Sequence, residues 1–118
     1  MFEGCSSITN VNPLKNWDVS KGINFSGMFS GCSSLSDIKA LEKWKISKAN
    51  DISYMFYSCS KISDLKPLKD WKVSNVNNFS SLFWECKSLS DINPLENWNV
   101  SNGNDFSLCL IKAKDYQI

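Results

Sequence analysis

The chain has 118 residues, enough for one compact domain. It contains 13 Lys, no Arg and no His, and its net charge is +1. Without His there is neither a Ser-His-Asp triad nor an imidazole metal ligand, and without Arg there is no bidentate reader of phosphate or guanine. The small net charge lacks the basic excess that drives nucleic-acid binding. We therefore expect no catalysis, no cofactor and no contact with nucleic acid.

The N-terminal segment carries no targeting signal. Lys15 is the first basic residue, and neither a basic leader nor an apolar run precedes it. The sequence therefore predicts no signal peptide in this chain. No uninterrupted apolar run exceeds four residues, so we expect no insertion into a membrane.

A repeat of 27 residues is the dominant pattern of the sequence. Similar segments begin at Met1, Met28, Met55 and Leu82, without insertion or deletion. The four repeats span 1–27, 28–54, 55–81 and 82–108, and a decayed fifth repeat or tail occupies 109–118. A strict period in so short a chain predicts a solenoid, in which each repeat buries its apolar side against its neighbours.

Eight positions of the repeat are apolar in every copy, and they form the predicted core. One copy of each position is given by Phe25, near the end of the first repeat, and by seven residues of the second repeat. These seven are Phe29, Cys32, Leu35, Ile38, Leu41, Trp44 and Ile46. Since these residue types recur at the same positions, we expect the four repeats to share one geometry.

The first predicted element of each coil is a short helix. Its apolar residues follow the i, i+3, i+4, i+7, i+10 spacing of a helical stripe at Phe25, Met28, Phe29, Cys32 and Leu35. A serine stands at the predicted helix start, where its hydroxyl would cap free amides, at Ser26, Ser53, Ser80 and Ser107.

Two short strands and a tight turn complete the predicted coil. The first strand lies around 36–38, and Pro13, Pro67 and Pro94 open the turn that follows it. The second strand covers 71–74 and its equivalents, where alternation places Trp and Val on one face. The predicted fold class is thus an α/β repeat solenoid of 27-residue coils, with short parallel strands and a short helix in each coil.

The repeat resembles the BspA-like repeats of bacterial and protist surface proteins, a divergent branch of the leucine-rich repeats. The resemblance covers residues 1 to about 111 and rests on Met-Phe-x-x-Cys-x-x-Leu, Trp-x-x-Ser and Phe-Ser-x-Met-Phe recurring in phase. It implies a right-handed, leucine-rich-repeat-like solenoid with a parallel sheet on its concave side. It also implies adhesion to host matrix or other proteins, and a location at the cell surface or outside the cell.

The positions of the cysteines indicate a packing role in the core and not a reactive or metal-binding one. Four of them recur in the apolar stripe, at Cys5, Cys32, Cys59 and Cys86, whereas Cys109 lies outside the repeat positions. We expect the four to be reduced core residues. Occasional oxidation and a thiolate metal site are the alternatives, and the second is disfavoured because close Cys pairs are absent.

Two charged columns run along the stack. The first is Asn10, Asp37, Asp64 and Asp91, which we expect to accept local backbone amides; a bound cation or simple solvation are the alternatives. The second alternates in sign, at Lys15, Glu42, Lys69 and Glu96, and predicts a solvated ladder of salt bridges.

The candidate binding residues occupy positions that vary between repeats. Tyr57 and Trp84 stand where other repeats have Glu3 or Ser30, and together with Tyr54 they predict an exposed aromatic patch for protein recognition. The alternative is that they only shield the helix layer. Two lysines on the predicted concave side, Lys39 and Lys66, are the other candidates.

These observations favour a protein-binding or adhesion module of a microbial surface protein, with no catalysis. The expected partner is a host or matrix protein, or a glycan. The alternative function is a ligand-free spacer, or a fragment of a longer array that associates end to end with itself. Serine ladders also fit an ice-binding surface, but Thr9 is the chain's single Thr, which ranks that function low.

Overall fold

Each repeat carries one short 3₁₀ helix at the predicted tight turn. The computed structural model describes residues 2–103, and within them these helices are the only regular elements. They span Asn12–Leu14, Lys39–Lys43, Lys66–Leu68 and Asn93–Leu95. A proline fixes the backbone in the first turn of three of them, because its ring holds φ near the helical value and it needs no amide partner there.

An Asx residue precedes each 3₁₀ helix and caps it. The side-chain oxygens of Asn10, Asp37, Asp64 and Asp91 accept the backbone N–H two residues later, at 2.9–3.0 Å. This interaction is the Asx turn that short carboxylates and amides favour. The prediction that this column accepts local backbone amides is therefore confirmed.

The segment predicted to be helical consists instead of two successive β-turns. Residues 25–28 and 29–32 each close a turn with a hydrogen bond from the fourth amide to the first carbonyl, at 3.3 and 3.1 Å. The third residue of each turn, Gly27 or Gly31, has left-handed backbone, with φ of 67° and 76°. The same pair recurs at 52–59 and 79–86, and we call these three segments turn pairs.

Alternate amides of a turn pair bond to the next repeat. In the first turn pair the intervening amides of Met28, Ser30 and Cys32 close turns within the segment, and that of Ser26 donates to the Asn24 side chain, so both sets are satisfied without a helix. In the first turn pair the outward amides are those of Phe25, Gly27, Phe29 and Gly31, which donate to the carbonyls of Asp51, Ser53, Met55 and Tyr57 at 2.7–2.9 Å.

The prediction of an α/β solenoid with strands and a helix in every coil is therefore wrong. Two four-residue turns in succession place Phe25 and Phe29 four residues apart on one side, as a helix would, so the apolar spacing fits both structures. Ser26 is not a helix N-cap: its amide donates to the side chain of Asn24 at 2.8 Å. The chain is a compact body of stacked turns.

The two predicted strands are also absent from residues 2–103. At the first predicted strand a single parallel bridge joins Asn10 to Asp37, whereas the second, at 71–74 and its equivalents, forms no bridge within these residues. Two further bridges, from Asn24 to Asp51 and from Asp51 to Asn78, lie beyond the second predicted strand. At the first predicted strand, the amides of Ser36 and Asp37 both donate to the Thr9 carbonyl at 3.1 Å. One carbonyl that serves two consecutive amides ends the pairing after a single bridge, because a ladder needs acceptors at alternating residues.

Indole and thiol donors join the repeats inside the core. Trp44 Nε1 donates to the Leu14 carbonyl at 3.0 Å, and Trp71 Nε1 donates to the Leu41 carbonyl at 2.8 Å. The phenyl rings of successive repeats stack with centroids 5.7–5.8 Å apart along Phe2, Phe29, Phe56 and Phe83. Since each donor reaches the preceding repeat, the apolar columns and the polar bonds fix the same register.

The predicted core columns are buried in the inner repeats and partly open at the ends. Phe29, Leu41 and Ile46 are buried, whereas Trp17 of the first repeat is exposed. Two further columns are buried although they are not among the eight predicted core positions. One consists of Met28, Met55 and Leu82, and the other of Ala49 and Val76. The predicted fifth repeat or tail at 109–118 lies outside the described residues, as do Phe106, Ser107 and Cys109. Within residues 2–103, no helix is long and apolar enough to cross a membrane.

Candidate functional site

The turn pair 52–59 carries two neighbouring tyrosines. Tyr54 is the third residue of the first turn, and the amide of Tyr57 donates to the Tyr54 carbonyl at 3.1 Å. Their rings lie 5.5 Å apart at 58° to each other, a tilted contact that aromatic quadrupoles favour. The side chain of Tyr54 is 46% exposed. The structure thus brings these two predicted binding residues together at the surface.

Trp84 lies on the adjacent repeat, next to Tyr57 along the stack. Its carbonyl accepts the amide of Ser58 at 2.8 Å, which fixes the two repeats in register at this point. The side chain is half-buried, as is that of Tyr57. We call Tyr54, Tyr57 and Trp84 the aromatic cluster. It is confined to the second half of the stack, since the equivalents of Tyr57 in the first half are Glu3 and Ser30.

Tyr54 has left-handed backbone, with a φ of 58°. The equivalent residue of the preceding turn pair is Gly27, to which this conformation costs nothing. For a residue with a side chain it costs about 1–2 kcal/mol. A tyrosine that is almost half exposed recovers little of that energy through burial. Strain of this kind persists where the surrounding structure imposes it, and it tends to occur at binding surfaces.

The two candidate lysines lie on a different surface. Lys39 and Lys66 are exposed and line one open pocket of about 390 Å³, together with Asp37, Asp64 and Glu42. The pocket lining includes none of the aromatic cluster. The structure therefore brings the two lysines together, but beside three carboxylates and away from the aromatic residues, so the pocket has no excess of positive charge. Residues 2–103 form no concave sheet, and the 3₁₀ helices position both lysines instead.

Comparison with protein families identifies the chain. A family model described as "Mycoplasma protein of unknown function, DUF285" matches residues 1–118. The chain belongs to this DUF285 family. None of the curated proteins matches it. The BspA-like resemblance and the surface location remain predictions from the sequence.

One solved structure that the DUF285 chain resembles weakly is an internalin C2 from Listeria monocytogenes. The two are 19% identical, and the match covers 80% of this chain and 64% of the internalin chain, with a TM-score of 0.15. The match thus spans somewhat less than two thirds of the internalin chain. A TM-score this low carries no argument about fold or partner.

The column of cysteines is part of the core of the DUF285 chain. Cys32, Cys59 and Cys86 are buried free thiols, and Cys5 is half-buried. Each buried thiol donates to the carbonyl of a phenylalanine in the preceding repeat, at 3.1–3.2 Å. Burial raises the pKa of the Cys32 thiol, raises that of Cys59 much further, and raises that of Cys86 to about 12. These thiols are therefore poor nucleophiles in the folded chain, because only thiolate attacks.

The ladder of salt bridges along Lys15, Glu42, Lys69 and Glu96 is wrong, because no ion pair joins any of these four. Their exposed side chains gain little from pairing in water and lose rotamer freedom. Across residues 2–103, no three His, Cys, Asp or Glu residues come close enough to hold a metal ion.

Trp17 is exposed, whereas its position in the repeat predicts a core residue. Its side chain is 42% exposed, although the other three tryptophans of its column are buried or half-buried. The repeat pattern does not distinguish Trp17 from Trp44, Trp71 and Trp98, so no sequence signal indicates its exposure.

Proposed function

We propose that this chain is a protein-binding repeat module of a microbial surface protein and that it acts by contact, without catalysis. The observation that carries the proposal is the aromatic cluster, in which Tyr54 keeps a bulky side chain at a left-handed position and leaves it almost half exposed. Exposed aromatic side chains supply large contact area at low conformational cost, so they are enriched where proteins bind one another.

The shape of the scaffold supports a binding role. The indole bonds, thiol bonds and stacked phenyl rings repeat in each layer and leave the outer positions of the turns free to vary. The position of Tyr57 is Glu3, Ser30 or Trp84 in the other repeats. A side chain can therefore change there without disturbing the core, which is how a rigid scaffold carries a specific surface.

Two further points support a surface role and a function without catalysis. The sequence resembles BspA-like repeats, which occur in surface proteins of bacteria and protists. It contains no His and no Arg, so the commonest general base and the bidentate guanidinium clamp are both missing. A protein that works by contact needs neither of them.

The experiment measures binding of the purified chain to immobilised fibronectin, laminin, fibrinogen and collagen by surface plasmon resonance. Tyr57→Ser and Trp84→Ser each install the residue that Ser30 provides in the second repeat, so the scaffold tolerates them. We expect either change to weaken binding by at least tenfold. The matched control is the double variant Lys39→Ala with Lys66→Ala, which we expect to bind like the parent chain.

Two outcomes contradict the proposal. If none of the four proteins binds, adhesion to matrix protein is wrong, and the ligand-free spacer is favoured. If the lysine variant loses binding while both serine variants keep it, the aromatic cluster is not the contact surface. Protease treatment of intact cells that produce the chain tests the location, because a surface protein is cleaved there and an internal one is protected.

A further inference from the structure

Positive charge is concentrated on one part of the chain, although the net charge is only +1. In the second and third repeats, residues 42–48 and 69–75 together carry five lysines against two carboxylates. The rest of residues 2–103 carries six lysines against eight carboxylates. We call the five lysines the basic face; they are Lys43, Lys45, Lys48, Lys69 and Lys72. Both repeats have a described neighbour on either side, so the stack itself defines this surface.

The core holds the basic face in place and turns it outward. Trp44 and Trp71 are buried, whereas the five lysines are exposed. Across the face, Asn75 Nδ2 donates to the Ser47 carbonyl at 2.7 Å, which fixes the two segments in register. The backbone positions of the lysines are therefore preorganised, and a ligand that spans them does not have to order this part of the chain.

Lysines of the two repeats are placed to act on one ligand. Lys45 and Lys72 are equivalent residues on neighbouring layers, and hydrogen-bonded layers lie about 4.8 Å apart. Neither lysine is neutralised, because the ion pair found among residues 2–103 joins Lys87 to Glu85. Positive charges this close repel each other, and an anion that lies between them removes the repulsion.

A polar pocket continues the basic face toward the fourth repeat. Its volume is about 270 Å³, and its lining includes Lys69, Lys72 and Ser74 together with Asn97 and Asn99 of the next repeat. Ammonium, hydroxyl and amide groups thus meet in one concavity. Together they offer donors to acidic oxygens and both donors and acceptors to neutral hydroxyl groups, a combination that suits a sugar carrying an acidic group.

The charge density of the face favours a polysaccharide over a nucleic acid. Glu42 and Asp70 lie among the lysines, so the net positive charge is modest. Duplex DNA presents one negative charge per about 1.7 Å and is gripped by a denser set of cations. The chain also has no Arg to read its bases. A sugar chain that alternates acidic and neutral units has a lower charge density, which a mixed face can match.

The same surface lacks what a membrane contact needs. Its large apolar side chains are all buried, at Trp44, Ile46, Trp71 and Val73. Stable attachment to a bilayer needs an inserted apolar group or a lipid chain in addition to basic charge. The face therefore suits a hydrophilic polyanion in water.

We propose that the basic face binds an acidic polysaccharide, with the lysine ammonium groups on its sulfate or carboxylate groups and the polar pocket on its hydroxyl groups. This binding does not rest on the aromatic cluster, because the pocket lining includes none of its residues. We expect Tyr57→Ser to leave polysaccharide binding unchanged. Failure of one proposal therefore leaves the other standing.

Biolayer interferometry on immobilised heparin and, separately, on hyaluronan measures the binding and distinguishes sulfate from carboxylate as the preferred anion. We expect the parent chain to bind at least one of the two, with an affinity that falls as salt rises from about 50 to 200 mM. The double variant Lys45→Asn with Lys72→Asn installs at both positions the residue that Asn99 provides in the fourth repeat. We expect it to bind at least tenfold more weakly and with a smaller salt dependence.

The charge-matched control is the double variant Lys39→Asn with Lys66→Asn. Asn12 and Asn93 stand at the equivalent positions, so this variant removes the same charge in an equally tolerated way from a different surface. We expect its affinity to stay within about twofold of the parent, since charges further away than the Debye length are screened. Circular dichroism and thermal unfolding establish that each variant is folded.

Asp70→Asn gives a test in the opposite direction. Asn16 and Asn97 occupy the equivalent positions, and the change removes a carboxylate from the pocket lining. We expect tighter binding of the polysaccharide that the parent chain prefers. This variant decides the matter if Lys45→Asn with Lys72→Asn does not fold, and unchanged or weaker binding would contradict the proposal.

Four further results overturn the proposal. The first is a parent chain that binds neither heparin nor hyaluronan. The second is a folded Lys45→Asn, Lys72→Asn variant that binds as tightly as the parent. The third is an equal loss in the control, because net charge and not the basic face would then govern binding. The fourth is tighter binding to duplex DNA or to phosphatidylserine vesicles than to either polysaccharide, since the face would then serve a nucleic acid or a membrane.

Discussion

The turn pairs 25–32 and 52–59 have the same hydrogen bonds but different residues at their left-handed positions. The first has Gly27 and Gly31, and the second has Tyr54 and Ser58. Glycine adopts this conformation freely, whereas the other residues pay for it. The second turn pair also carries both tyrosines of the aromatic cluster. Ser81 and Glu85 of the third turn pair adopt the same conformation, so the turns impose it whatever the residue. Among residues 2–103, Tyr54 is the one aromatic residue that holds this conformation, and it does so with an exposed ring.

The largest expected loss of stability tests whether the two turn pairs pack on equivalent core residues. Trp44→Ala and Trp71→Ala each remove a buried indole and leave a leucine carbonyl without its donor. We expect each to lower the free energy of unfolding by about 3–5 kcal/mol, as measured by urea denaturation. The two values should agree within about 1 kcal/mol, since the surroundings repeat. A large difference would show that the halves differ in more than their turn residues.

High pH should destabilise both halves through their buried thiols. Burial raises the pKa of Cys32 and Cys59 in the folded chain above the ordinary value of 9.0, so the stability that they contribute is complete below pH 9 and is lost as pH rises further. Each thiol removes up to about 1.4 kcal/mol per pH unit in that range. Urea denaturation under reducing conditions from pH 8 to 10.5 measures the slope.

Cys32→Ala and Cys59→Ala serve as the matched variants for this pH dependence. Each should reduce the alkaline slope relative to the parent, although both also lower stability at pH 8 by leaving a small cavity. A slope that neither variant changes would mean that burial of these thiols does not cause the alkaline loss.

Two smaller effects on stability, opposite in sign to each other, distinguish the turn pairs directly. Gly31→Ser installs the residue of the next repeat at a left-handed position, and we expect a loss of about 1 kcal/mol. The added Cβ would lie 3.5 Å from the Gly4 Cα, an ordinary contact, so strain and not crowding sets the cost.

The reciprocal change, Ser58→Gly, should raise the unfolding free energy by about 0.5 kcal/mol, since relief of strain exceeds the added freedom of the unfolded chain. Differential scanning calorimetry resolves both shifts. If both substitutions shift stability in the same direction, the comparison between the turn pairs fails.

The repeat, the core columns and the capping role of the aspartates were predictable because each depends on residue type and spacing alone. The fold class was not, because Phe25, Met28, Phe29 and Cys32 have the spacing of a helix and also of two successive turns. Gly27 and Gly31, four residues apart, indicate two successive turns, because residues with left-handed backbone at that interval exclude a helix. The next repeat gives no such indication, because Tyr54 and Ser58 adopt the same conformation although neither is glycine.

The candidate site was predictable in part. Tyr54 and Tyr57 meet as expected because the repeat places them on one turn pair. The strain at Tyr54 was not predictable from the sequence, because tyrosine gives no indication of a positive φ, which glycine alone adopts without cost. The exposure of Trp17 depends on which layers flank the first repeat, a property of the stack and not of the column.

Tyr54→Gly tests the central claim most directly, because it removes the strain and the exposed ring together. Urea denaturation and binding to the matrix protein that the parent chain recognises are measured on the same preparation. We predict an unfolding free energy equal to or up to about 1 kcal/mol above that of the parent, with binding at least tenfold weaker. A variant that is destabilised by more than 1 kcal/mol and binds as tightly as the parent would contradict the claim, because Tyr54 would then serve the fold and not the contact.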